Sequence, residues 1–120
     1  MSKLLAAIAG SVVLTAGALP ALAHHSAAQF DFAQNVTVQG KVKHIRVANP
    51  HMELTLEIAD AKGKRDVQFE GHSANNIYRQ GWRKDMVKDG DALTIVIAPK
   101  KDGSDGGYVK NVTTADGHKF

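Results

Sequence analysis

Residues 21–32 read ALAHHSAAQFDF, with His24 and His25 standing directly behind an Ala-x-Ala tripeptide. A cut after Ala23 makes His24 the first residue of the mature chain. Its α-amine and one ring nitrogen then close a chelate on a single ion. A third nitrogen from elsewhere gives a T-shaped site of the kind copper accepts, since amine and imidazole nitrogens suit Cu(II), with zinc or nickel next. A free α-amine holds its proton up to about 7.7–8, so such a site weakens as pH drops. Ser26 is third in the mature chain, so the amino-terminal copper/nickel motif with histidine third is absent. The plainer alternative is that the two histidines begin a frayed polar tail.

His51 is the partner the sequence offers. It opens an alternating segment, on the face opposite Met52 and Leu54, and Glu53 shares its face two residues on. The two side chains complete a site on the outer surface of the second and third strands, or His51 merely hydrogen-bonds within the Asn49-Pro50 turn. His44 lies where the apolar phase of the first strand slips, and His72 precedes a helix cap. Both read as local hydrogen-bonders, and His118 sits in a polar tail. Trp82 and Tyr78 form either a stacking platform for a ring-bearing ligand or, as we prefer, the plug of a barrel end. Arg79, Arg83 and Lys84 beside them make a small anion-attracting patch or a solvated rim. The chain has six histidines and no cysteine. No HExxH, CxxC, GxSxG or Walker-type motif occurs, so a hydrolase has no support and no catalytic residue is assigned.

The elements that must position these residues follow from the patterning. Lys3 and the apolar run 4–19, ended by Pro20 and the small residues Ala21 and Ala23, make a secretory signal over 1–23. That run is too short and too rich in Gly and Ala for a good spanning helix. The mature chain of 97 residues is one small domain. Its mildly basic charges are mixed in sign, form no cationic stripe, and give nucleic-acid binding no support.

Residues 24–35 read as an N-terminal arm, extended or loosely helical, anchored by Phe30 and Phe32. Residues 36–47 are a long strand in which Val36, Val38, Gly40 and Val42 share one face before the phase slips to Ile45 and Val47. That slip predicts a β-bulge, and Gly40 eases a bend. Residues 51–59 alternate as a half-buried strand, 60–64 form a hairpin turn, and 65–70 form a third strand with Val67 and Phe69 inward. Ser73 caps a short helix through Ala74, Ile77 and Tyr78, closed by Gly81. Asp89-Gly90 is a turn, 92–98 and 108–114 are strands, 99–107 is a flexible loop and "ADGHKF" is a tail. The order β-β-β-α-β-β predicts an all-β domain with one short helix, a five-stranded OB-fold-like barrel over 36–120. Another small open β-barrel or a five-stranded sandwich is the runner-up.

The segments HHSAAQFDF, GKVKHIRVANPHMELTLEI and NNIYRQGWRKDMVKDGDALTIVIAPKKDGSDGG, in that order, resemble a family of small exported bacterial proteins classed as a domain of unknown function. The motif positions are His24, His25, Ser26, Asn49, Pro50, His51, Gly81 and Trp82. The resemblance spans 24–120 and implies a periplasmic address and a small β-barrel, and it carries no activity with it. Met52 departs from the pattern, where an aromatic or branched residue is expected after Asn-Pro-His.

Two functions are therefore expected. The first is a periplasmic, non-enzymatic metal-binding protein, with copper held by His24, His25 and His51. The second is a periplasmic OB-type module that binds an envelope ligand or protein partner through the outer face, with Glu53 and Trp82, and no metal. A redox enzyme built on the same copper site is a remoter third. Contact with the membrane is expected only through the signal peptide before cleavage.

Overall fold

A computed structural model describes residues 27–120. The signal segment and the His24-His25-Ser26 motif lie outside the described residues. Five strands close a barrel in the order β1-β2-β3-β5-β4. They are β1 (Val36–Arg46), β2 (Glu53–Asp60), β3 (Gly63–Gly71), β4 (Ala92–Pro99) and β5 (Gly107–Thr114), with the helix α1 (Ala74–Arg79) between β3 and β4. This is the β-β-β-α-β-β order and the OB-like closed barrel that the patterning predicts. All neighbours are antiparallel except β3 and β5, which join in parallel through only Glu70–Tyr108 and Gly71–Val109.

β1 closes the barrel because it serves two partners in turn. Val36–Lys41 pair with β4 and Lys41–Arg46 pair with β2. The strand changes partners at Lys41, next to Gly40. A Cβ there would come within 2.7 Å of the Glu57 carbonyl oxygen, so the close approach of β1 to β2 requires a residue without one. The predicted slip is a register shift between Val42 and His44. Val42, Leu54, Leu56 and Ile95 are the most deeply buried large side chains. Burying each is worth about 1.5–3 kcal/mol.

Several local expectations change. β2 begins at Glu53 rather than 51, because Asn49-Pro50 and His51 belong to the preceding turn; the Asn49–Pro50 peptide is cis. The hairpin is tighter than 60–64, with Asp60 paired to Gly63. Ser73 Oγ caps α1 by accepting from the Asn76 N–H at 3.4 Å, and Gly81 takes φ +105° at its exit. Ile77 and Trp82 are buried, but Tyr78 is 45% exposed and only lays its ring edge-on against Trp82. One turn of helix presents a narrow apolar stripe, and Ile77 takes it. The plug is thus Ile77, Trp82 and Val87 without Tyr78. Of the two arm anchors, Phe30 is 3% exposed and Phe32 46%. The C-terminal residues are no free tail: Phe120 exchanges both backbone hydrogen bonds with Val112, covering the outer edge of β5.

Candidate functional site

The outer face of the β1-β2-β3 sheet is set by the bulge. Val42 points inward opposite Leu56; Lys43 is the extra residue; His44 then stands opposite Thr55, and Ile45 returns inward opposite Leu54. Were Lys43 paired regularly instead of bulged, His44 would face the core, since side chains alternate strictly along a regular strand. The β2–β3 register continues the rows. One outward row is therefore His44, Thr55 and Gln68, and the next is Arg46, Glu53 and Glu70.

His51 is set beyond the second row by its neighbours' backbones. The Met52 N–H donates to the His72 carbonyl at 2.9 Å, and the Gly71 N–H donates to the Met52 carbonyl at 3.0 Å. The Asn49-Pro50 turn is tied to the start of α1, where the Ala74 N–H donates to the Ala48 carbonyl at 2.9 Å. Asn49 Oδ1 accepts a long bond from the Asn75 N–H.

Together these side chains line a groove of about 440 Å³, within the usual range for ligand sites. Its floor carries His44, His51, Glu53, Thr55, Gln68 and Glu70. The opposite wall is the arm, with Gln29 and Phe30 beside Lys100 and Gly107. The arm is held there as an added backbone ladder: Lys101 N–H donates to the Gln29 carbonyl at 2.9 Å and Asp31 N–H to the Pro99 carbonyl at 2.8 Å. The Phe30 ring packs against Phe32 and Tyr108.

The charges in the groove are mixed. Arg46 Nη1 lies 3.5 Å from Glu53 Oε2, and His51 Nε2 lies 3.7 Å from Glu70 Oε2. His51 Nδ1 is buried and finds no hydrogen-bond partner among the described residues. Beyond the groove, Lys64 and Lys43 hold the Glu57 carboxyl below the usual carboxylate range. Burial, then the nearby Glu70 charge, pushes the Tyr108 hydroxyl up. Among the described residues, no three His, Cys, Asp or Glu side chains are arranged to hold a metal ion.

His51 and Glu53, two of the sequence-predicted site residues, meet at this groove. Trp82 does not line it: its ring is 6% exposed in the core cluster, and its Nε1 finds no partner among the described residues. His24 and His25 lie outside the described residues. His44 is the groove residue that sequence reasoning undervalued, although the phase slip was the signal that turns it outward. His72 is a local hydrogen-bonder, with Nδ1 3.2 Å from the Tyr108 hydroxyl. His118 N–H bonds Thr114 Oγ1 at 3.0 Å.

A family model described as "Family of unknown function (DUF6152)" matches residues 11–110. The chain belongs to that family. No curated protein matches it. Among solved structures the chain is similar to a mitochondrial single-stranded DNA binding protein from S. cerevisiae, Rim1. The identity is 9% and the TM-score 0.48, over 71% of this chain and 97% of the other. A likeness that loose carries no function across.

Proposed function

We propose that this family member is an exported periplasmic protein that binds one transition-metal ion, copper favoured, and is a binder rather than an enzyme. His24 supplies its α-amine and ring nitrogen. His51 supplies a further nitrogen from the groove, and His25 stands beside the site as an additional imidazole. The observation that carries this reading is the course of the arm. Gln29 and Phe30 form the wall of the groove that holds His51. Ala27–Gln29 form a turn, closed by the Phe30 N–H donating to the Ala27 carbonyl at 3.2 Å, and the three residues ahead of it span at most about 11 Å when extended, a length that allows the amine of a chain starting at His24 to come back over that groove. Imidazole and amine donors select Cu(II) over harder ions.

The test is a copper titration, with a competing chelator, of the mature chain beginning at His24 and of the same chain with one residue added ahead. The expected result is tight one-to-one binding that the added residue weakens at least about 100-fold, or roughly 3 kcal/mol. Affinity also falls as pH drops below about 8, because the proton of the amine must be displaced. Weak binding, indifferent to the added residue, overturns the metal reading. A second reading then stands on the groove itself. Its volume of about 440 Å³ and polar lining on the β2–β3 face suit an OB-type module for an envelope ligand or protein partner.

A further inference from the structure

We infer that the groove is a site for a zwitterionic amino acid, its carboxylate held by Lys100 and its ammonium by the Glu53–Glu70 pair. This rests on the second reading above, names the ligand class for that groove, and needs no metal. Among the described residues two lysines are half-buried, Lys100 and Lys110. The Lys110 ammonium donates to the Phe32 and Gln34 carbonyls and to Asn35 Oδ1. The Lys100 ammonium lines the groove and makes no hydrogen bond or ion pair among the described residues. A partly desolvated charge left in that state is a cost that an anionic group in the groove would offset.

The floor carries the opposite sign. Glu53 and Glu70 stand directly across from each other on β2 and β3, an arrangement that is destabilising for like charges. Arg46 meets Glu53 only as an exposed pair, which is worth little. His51, 3.7 Å from Glu70, is a cation only when protonated. Wall and floor come together where β5 meets β3. A Cβ on Gly106 would stand 2.8 Å from the Gln68 carbonyl oxygen and 3.5 Å from Lys100 Nζ. The ammonium thus sits beside Gln68, and Glu70 is the next outward residue of that strand, about 6.8 Å along. A simple anion here would face two carboxylates, and a simple cation would face Lys100. A small molecule bearing both charges meets both ends. A volume of about 440 Å³ is at the small end for ligand sites. Phe30 and Phe69 are buried, so the groove offers no open aromatic face on which a sugar or base would stack.

The test uses the metal-free mature chain starting at His24, so that no amino acid binds through an ion. The common L-amino acids, with their N-acetyl and C-terminal amide derivatives, are screened singly by thermal shift. The strongest binder is then measured by calorimetry in wild type, Lys100→Gln and Glu70→Gln, with folding checked by circular dichroism. Blocking either charge of the ligand is expected to weaken binding by about 10–100-fold, the scale of a hydrogen bond to a charged group. Lys100→Gln should weaken the free amino acid to a similar extent but leave binding of its amide unchanged, since the amide has no carboxylate to lose. Glu70→Gln should do the same with respect to the N-acetyl derivative. A derivative with one charge blocked that binds as tightly as its parent, or a parent indifferent to Lys100→Gln, overturns this inference and leaves the groove as a ligand site. Silence from every amino acid and every derivative overturns both the inference and the second reading.

Discussion

Gly40 is where β1 lies hard against the backbone of β2. A Cβ at this position would stand 2.7 Å from the Glu57 carbonyl oxygen, 3.0 Å from Ile58 Cγ2 and 3.1 Å from Leu56 Cβ. The first is backbone and the third is fixed to it, so neither can rotate away. Gly40→Ala therefore forces β1 off β2. Overpacking of this kind costs about 1–3 kcal/mol. The substitution also stiffens the unfolded chain, which stabilises the protein by about 0.4–1 kcal/mol where the site tolerates Ala. The two effects oppose each other, and the clash prevails by about 1–2 kcal/mol. In a domain this size each kcal/mol moves the midpoint by about 4–8 °C, so the melting temperature of the metal-free protein falls by roughly 5–15 °C. Thermal unfolding followed by circular dichroism, with a urea midpoint as a second measure, reads it directly. An unchanged or higher melting temperature would show that β1 does not need its close approach to β2 at Gly40.

Two further outcomes are expected. Phe30→Ala releases the arm, costs about 3 kcal/mol and exposes the Asp31 and Lys101 amides to hydrogen exchange; continued protection of both would show that the backbone ladder holds the arm unaided. The Arg65 guanidinium pairs with Asp105 at 2.6 Å and with Asp60 at 2.7 Å and holds both carboxyls below their usual range. Their contribution is present above the unfolded carboxylate value near about 3.9 and is lost as pH falls through the lower folded values. Arg65→Gln should flatten that acid limb of the urea midpoint, and an identical limb in the variant would refute the clasp.

The periodic parts of the fold were legible in the sequence because a half-buried strand writes its faces in alternation. Met52, Leu54, Leu56 and Ile58 are all buried, and the slip after Val42 is the bulge. What was not legible is long-range. Nothing near Arg65 indicates Asp105, 40 residues away. The C-terminal pairing was hidden because "ADGHKF" is polar except at its last residue, yet Asp116-Gly117 is a turn dipeptide and Phe120 an apolar residue placed to return. Tyr78 had helical spacing but too short a helix to bury it. For the site, His51 and Glu53 could be placed together because they lie two residues apart where an alternating segment begins, although His51 itself belongs to the turn before β2. His44 belongs to another strand, and its address depends on how β1 registers against β2.

The bulge itself does not explain His44. A small barrel needs a bend in its first strand whatever residue follows it, and any polar side chain opposite Thr55 would satisfy solvent. The fold likewise accounts for the direction of His51, through the backbone bonds of Met52, but not for its being a histidine. Its Nδ1 is buried without a partner among the described residues, which is a cost that an apolar or fully exposed residue there would avoid. β1 and the turn before β2 thus each place an imidazole on one groove where packing asks for neither. The proposed copper titration, repeated with His51→Ala, asks whether binding accounts for that residue type.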